Sequence, residues 1–328
     1  MAPPPTPSPA ASGEELRALH TQLMSDIDGP HRARYMGNKD LKVLDELTWV
    51  RHGSCDFLVH ADDAAEYEAK RALHANDPTE NPAPDAPNSA MFSMVGRLAN
   101  KNFYLSSCAG WNGSYGELEG VVASALLEPA DVTAFSGDWD CMVKNFERIV
   151  ASKHTQGRII KGAWDEASGE PKRLRVRTKI FQEIDPNDED AANVGLPSEF
   201  TIAKWPPTPG SAKCAEKLDE LRKGKKHIVN PVPVFGRNGA LIFPSEYREL
   251  RDTLVVVYFT FIHWFIAGDK DSSDPKKGPS DTFGAEILNM KVLAPPRPRT
   301  SSTPKTPVKR WSLRDPMASP SPPKRRRT

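Results

Sequence analysis

The sequence lacks the residue groupings that would commit it to metal or nucleotide chemistry. Its four cysteines, Cys55, Cys108, Cys141 and Cys214, stand 53, 33 and 73 residues apart, and no two form a CxxC pair. Zinc knuckles are therefore missing, and four cysteines in 328 residues are too few for a disulfide scaffold. Reduced, buried thiols are the expectation. The eight histidines are scattered, with no HExxH and no HxH. No Gly-Lys-Ser/Thr closes a phosphate loop and no G-x-G-x-x-G opens a dinucleotide site. Gly110, Gly113, Gly116 and Gly120 read as turn chemistry, with Trp111 and Tyr115 among them as a stacking lip. The acidic stretch Asp185–Asp190 fails as a calcium loop: position six is Asp190 rather than Gly, and position twelve is Leu196 rather than Glu. No catalytic residue, metal ligand or cofactor is read from the chain. An enzyme would need a site assembled only in space.

Long hydrophobic runs are missing too. The most apolar segment, Leu254–Ile266, has thirteen residues and includes a Thr and a His. A membrane helix needs about 20. The opening residues, MAPPPTPSPAASGEE, have neither a basic nor an apolar signal region, so no secretory leader is read there. The sequon Asn112-Gly113-Ser114 is accordingly not expected to carry sugar.

What is present divides the chain into three. Hydrophobic residues make up 38%, a low share for a globular chain, and there are 31 prolines. Six prolines fall in residues 1–30 and eight in residues 296–328. Residues 1–12 are expected to be a disordered Pro-rich segment, residues 13–29 an amphipathic helix, and residues 30–295 the folded core. Residues 296–328 hold ten Lys/Arg against the single acid Asp315, with little to bury besides Trp311. They read as a disordered basic tail. The core carries 33 Lys/Arg against 38 acids. A mildly acidic core argues against general duplex DNA binding, which draws its affinity from phosphate neutralisation.

Ahead of the core, Ser12 followed by Glu15 is a capping box for a helix carrying Leu16, Leu19, Leu23 and Ile27. Thr48–Val50 and Asp56–His60 read as strands around Gly53, and 62–75 as a surface helix. Residues 76–89, with four prolines, form an exposed loop. Met91–Leu98 and Asn102–Ser107 read as strands joined by a turn. Trp139, Met142, Val143, Phe146, Ile149 and Val150 recur at helical spacing over 138–153, with Asp138 and Asp140 as capping and dipole residues. Lys172–Ile184 alternates with period two: Leu174, Val176, Thr178 and Ile180 on one face, Arg173, Arg175, Arg177 and Lys179 on the other. An acidic loop (185–198), a short strand Glu199–Trp205 and a helix over Ser211–Lys223 follow. Leu254–Ile266 and Thr282–Leu293 read as a buried antiparallel pair around the loop 268–281. His263, inside the first, is expected to be a satisfied core residue.

The pattern predicts an α+β fold: an antiparallel, partly barrel-like sheet with two or three packed helices, flanked by disordered termini. The segment Asp252–Leu293, "DTLVVVYFTFIHWFIAG…DTFGAEILNMKVLAPP", resembles the closing strands of uncharacterised multi-copy proteins of mushroom-type fungi. Its apolar alternation is also similar to the closing strands of oligonucleotide-binding (OB) barrels. That resemblance implies no catalytic residues; it implies that the 268–281 loop and aromatics such as Tyr258 or Trp264 touch a nucleic-acid strand.

Two groups of residues carry the functional expectations. Lys309-Arg310 and, after thirteen residues, Lys324-Arg325-Arg326-Arg327 resemble a bipartite nuclear-import signal, with an import receptor as partner and the nucleus as location. Thr306 and Ser321 lie in S/T-P-x-K patterns that fit proline-directed phosphorylation beside those clusters. The row Arg173, Arg175, Arg177 and Lys179, with Phe181 as a stacking surface, is the candidate for single-stranded nucleic acid. The first reading is a non-enzymatic nuclear protein contacting single-stranded nucleic acid or chromatin through a curved sheet. The alternative is a nuclear protein–protein scaffold with a phospho-regulated tail. An enzyme with an unrecognised site and a mobile-element gene product without specific activity stand behind these.

Overall fold

Ser12 and Glu15 open the first helix as their spacing predicts. The Ser12 N–H donates to Glu15 Oε2 (2.6 Å) and the Glu15 N–H donates to Ser12 Oγ (3.2 Å), satisfying two donors that a helix start leaves without partners. The computed structural model describes residues 11–25, 33–40, 42–165, 172–184, 196–269, 274 and 277–297. Among these are four α-helices: α1 (Gly13–Ser25), α2 (Ala61–Asn76), α3 (Asp138–Ala151) and α4 (Ala212–Gly224). The strands are β1 (Arg34–Tyr35), β2 (Leu47–His52), β3 (Cys55–His60), β4 (Met91–Leu98), β5 (Val122–Glu128), β6 (Ile159–Gly162) and β7 (Trp164–Asp165). They continue with β8 (Arg173–Lys179), β9 (Phe181–Glu183), β10 (His227–Val229), β11 (Val234–Phe235), β12 (Leu254–Ile266) and β13 (Ser280–Ala294).

Eleven strands belong to one sheet, and β9 and β10 pair separately. The two longest strands form its spine. β12 runs antiparallel to β13 from Leu254↔Ala294 to Ile266↔Ser280, with register shifts at Leu254/Val255 and Tyr258/Phe259 that bend the pair. The far side of β12 takes β4 over Leu254–Thr260 and β3 at Ile262–His263. The far side of β13 takes β6, β8 and β11 in turn, all parallel. β5 bridges β4 and β8 antiparallel to both. Tracing hydrogen bonds from β12 through β4, β5, β8 and β13 therefore leads back to β12.

Inside this circuit lie Phe92, Phe259 and Phe261, all fully buried, with ring centroids 5.0–6.1 Å apart. α3 presents Trp139, Met142, Phe146, Ile149 and Val150 to the core, and Phe146 stacks on Trp164. α4 buries Cys214, Leu218 and Leu221, and its cap Ser211 accepts the Cys214 N–H at 3.3 Å. Gly162 lets β6 approach β13 closely: a Cβ there would sit 2.1 Å from the Phe283 carbonyl oxygen, and its φ of +104° suits glycine.

Several expectations are corrected. The sheet is mixed, not antiparallel, because long crossovers return β6, β8 and β11 to β13 in its own direction. Among the described residues the core carries three helices, α2, α3 and α4, within the two or three expected, and α1 is the separately expected N-terminal helix. Asn102–Ser107 is not a strand: β4 already has β5 and β12 beside it, and the segment turns, with Asn102 at φ +52° and the Ala109 N–H bonded to Ser106 O. Glu199–Trp205 is a succession of tight turns, with Trp205 buried and its Nε1 donating to Ser107 O (2.8 Å). Asp138 is no cap. Gly137 holds that position at φ +88°, while Asp138 accepts the Tyr35 hydroxyl (2.5 Å) and faces His20 Nε2 (3.2 Å). The expectation of four reduced thiols fails for Cys108 and Cys214, which form a disulfide; Cys55 and Cys141 are free. Two complementary buried positions, on the 99–121 connection and on α4, bring them together.

Phe261 is a fully buried aromatic of the spine, touching Phe92, Phe146 and Phe259. Phe261→Ala is expected to lower unfolding stability by about 3–5 kcal/mol, the loss typical of a buried Phe. Urea denaturation followed by far-UV circular dichroism measures it.

Candidate nucleic-acid interface

Alternation along β8 sends Leu174 and Val176 into the core and Arg173, Arg175, Arg177 and Lys179 to the outer face. Residues opposite one another across paired strands share a face. Lys179 therefore stands beside Val122, Arg177 beside Ser124, and Arg175 beside Leu126. On the other side Arg177 stands beside Glu286 of β13. The outer surface of β5, β8 and β13 thus carries a row of cations.

The four cations are not equivalent. Arg173 is buried and held by Asp165 (3.0 Å) and Glu128 (3.5 Å). Arg177 is half-buried: its Nε lies 2.7 Å from Glu286 Oε1, and its guanidinium carbon lies 4.3 Å from the Trp264 ring centroid. Burial pushes the Glu286 carboxyl above its ordinary range, and Arg177 pulls it part of the way back. Gly284 makes room for this arrangement, since a Cβ there would come within 2.8 Å of Arg177 Nε and Nη2. Arg175 is half-buried and Lys179 exposed, and neither forms an ion pair with another described residue.

Phe181 does not join the row. It is fully buried, because the alternation breaks after Lys179 and both Ile180 and Phe181 turn inward as β9 leaves to pair with β10. Trp264 is the aromatic that does reach the cations. Next to it Phe265 is 44% exposed under the Arg158 guanidinium, 4.1 Å from ring centroid to carbon. Tyr258 lies half-buried beside α1. In the 99–121 connection Tyr115 is 89% and Tyr104 43% exposed, while Trp111 donates to Gly116 O (3.1 Å). Gly110, Gly113 and Gly116 adopt positive φ there, as turn glycines do; Gly120 does not. Lys309, Arg310, Lys324, Arg325, Arg326 and Arg327, the candidate phosphorylation sites Thr306 and Ser321, and the acidic stretch Asp185–Asp190 lie outside the described residues.

A second polar assembly fixes one end of the spine. His263 is buried, as expected of a satisfied core histidine, but its partners come from distant chain. Nδ1 lies 2.8 Å from Asp56 Oδ2 and Nε2 lies 3.3 Å from Asp281 Oδ1. Asp281 also accepts the Thr155 N–H (2.7 Å) and Arg158 Nη1 (3.0 Å), and faces His154 (3.2 Å). Asp56 pairs with Arg51 and Lys153, both at 3.2 Å. Burial works against ionisation of both carboxyls. For Asp56 it is outweighed by His263, Lys153 and Arg51, and for Asp281 by Thr155, Arg158 and His263, so both stay below the usual carboxylate range. Sequence reasoning missed these partners because the acids lie 207 and 18 residues from His263. Asp281, just ahead of an apolar run, was the available signal. Among the described residues no cluster of His, Cys, Asp and Glu could hold a metal ion, and no helix is long and apolar enough to cross a membrane.

No protein-family model matches the chain, and no curated protein matches it. Among solved structures it is similar to gp2.5, a single-stranded DNA binding protein encoded by bacteriophage T7. That similarity covers 66% of this chain and 97% of that one, with 10% identity and a TM-score of 0.31.

The folded-state shifts of Asp56 and Asp281 give stability a pH dependence. A carboxyl whose folded pKa is depressed stabilises the fold above its unfolded pKa, about 3.9 for Asp. That contribution disappears as pH falls through the lower folded value. The urea midpoint is expected to fall below about pH 4. Asp281→Asn is expected to lower stability at pH 7 by about 3–5 kcal/mol, since it removes one side of a buried charge pair, and to flatten the acid limb of the profile. An unchanged limb in Asp281→Asn would refute the assignment.

Proposed function

We propose that the chain is a non-enzymatic binding protein that holds an extended single-stranded nucleic acid against the outer face of β5, β8 and β13. The observation carrying this reading is the placement of the basic strand β8 within the circuit of pairings. In chain order the five strands of that circuit are β4, β5, β8, β12 and β13, and their spatial order is β4-β5-β8-β13-β12, with β8 and β13 parallel. Such an order supports a closed five-stranded Greek-key barrel of the OB type. In that architecture the face of the second and third strands, with the first–second and fourth–fifth connections, takes oligonucleotides. Here those parts are β5 and β8, the aromatic 99–121 connection and the 267–279 connection. Cations on alternate residues of β8 recur about every 6.6–6.8 Å, close to the phosphate repeat of an extended strand. The net acidity of the core favours a local track for one strand over a duplex footprint.

Import into the nucleus belongs to the same proposal, with Lys309-Arg310 and Lys324–Arg327 read by an import receptor and modulated by phosphate at Thr306 and Ser321. In a fluorescent fusion, replacing Lys324, Arg325, Arg326 and Arg327 by Ala is expected to move the protein from nucleus to cytoplasm. An unchanged distribution would discard the signal.

One observation favours the alternative, a nuclear protein–protein scaffold: Arg173 is taken up by Asp165 and Glu128, and Phe181 is buried. A single experiment separates the two. The full chain, with its six clustered tail cations (Lys309, Arg310 and Lys324–Arg327) changed to Ala, is titrated with a labelled oligo-dT across a salt series. Binding is expected to weaken with salt, and Arg175→Ala with Arg177→Ala to reduce the slope of log affinity on log salt by about 0.7 for each phosphate left without its cation. Absence of binding once these six cations are gone leaves the scaffold reading in front.

A further inference from the structure

We infer that Glu286 stands in for a nucleic-acid phosphate in the unliganded protein, and that binding is an exchange: the phosphate takes Arg177 from Glu286, and a base takes the Trp264 face. This rests on the single-strand reading above and deepens it, by naming the group that holds the site closed.

The geometry makes the case in three steps. First, Arg177 is the cation on the row that is engaged and yet reaches solvent. Its side chain is 23% exposed and that of Glu286 27%, whereas Arg173, locked by two acids, is 6% exposed. Glu286 Oε1 lies 2.7 Å from Nε and pairs with it by charge, yet Nε makes no hydrogen bond, so the guanidinium keeps a buried donor that a phosphate oxygen would satisfy. Second, the guanidinium lies over Trp264, 4.3 Å from its ring centroid, so the face a base would stack on is occupied while Arg177 stays with Glu286. Third, Gly284 lies against the guanidinium, and a Cβ there would come within 2.8 Å of Arg177 Nε and Nη2, so no side chain at that position confines Arg177.

The exchange has an electrostatic consequence. When phosphate displaces Glu286, the carboxylate is left in a half-buried position without its cation, which costs affinity. Glu286 therefore tempers binding, and ligands without a phosphate at that step have no means of lifting Arg177 from the ring. Duplex DNA offers phosphates but keeps its bases stacked away from Trp264. The site as built favours single strands over both isolated bases and duplexes.

The test uses the full chain and a 5′-labelled oligo-dT at low salt. Glu286→Gln is near-isosteric and removes the competing charge. It is expected to raise affinity about two- to fivefold, the worth of a solvent-touching ion pair. The gain should vanish in an Arg177→Ala background, where Glu286 has no cation to hold back. Saturating the wild type should change tryptophan fluorescence, and Trp264→Phe should abolish that change. Glu286→Ala, expected to show the same gain, covers a fold defect peculiar to the Gln variant. If wild type binds through Arg175 and Arg177 but Glu286→Gln and Glu286→Ala bind no more tightly, the exchange is wrong and the single-strand reading survives. A fluorescence change that persists in Trp264→Phe also overturns the exchange. If the full chain does not bind oligo-dT at all, both fall together.

Discussion

The pairing of β12 with β13 is the constraint on which the rest of the architecture depends. All thirteen residues of β12 pair with thirteen of the fifteen of β13, the two register shifts passing over Leu288 and Leu293. Each also offers its outer edge to further strands. β12 recruits β4 and β3, and β13 recruits β6, β8 and β11. A backbone edge left bare inside a core would forfeit its hydrogen bonds, so these edges must be filled once the apolar side chains withdraw from water. The Val- and Phe-rich composition of β12 buries both of its faces from Leu254 to Val257, which places it centrally, and the register shifts bend the pair so that β4 and β13 can both be reached. The charged assembly at its Ile266 end follows from the same geometry. Asp56 and Asp281 sit on strands flanking His263, and the segment after α3 supplies the cations that make such burial tolerable.

How much of this the residues disclose in advance depends on how local the determining physics is. The capping box, the amphipathic stripe of α3, the alternation of β8 and the apolar runs of β12 and β13 are decided within a dozen residues, and all are legible. Asn102–Ser107 and Glu199–Trp205 have strand-like composition, but whether a segment becomes a strand depends on a free edge beside it, and the edges of β4 go to β5 and β12. Parallel pairing was illegible for the same reason, since direction depends on where a crossover lands. The row Arg173–Lys179 was legible as a polar face. Its unequal exposure was not, because the acids that take up Arg173 and Arg177 come from β5, β7 and β13. Phe181 shows the limit of extrapolating a period: the alternation ends at Lys179, and one residue of slip sends the ring inward.

Those acids bear on the apparent conflict between an acidic core and a nucleic-acid track. Net charge matters at distances where screening has not yet acted, about 10 Å at 0.1 M salt. A bound strand at contact distance responds instead to the groups immediately beneath it. On β8 those groups are unequal. Arg173 is neutralised by two carboxylates and contributes structure, Arg177 is shared between a carboxylate and an aromatic face, and Arg175 between them and Lys179 after them have no acid among the described residues. Engaged and acid-free cations thus alternate along a single strand. Affinity is thereby set by how readily each acid yields its cation to a phosphate, a quantity that the sum of charges over the chain does not contain.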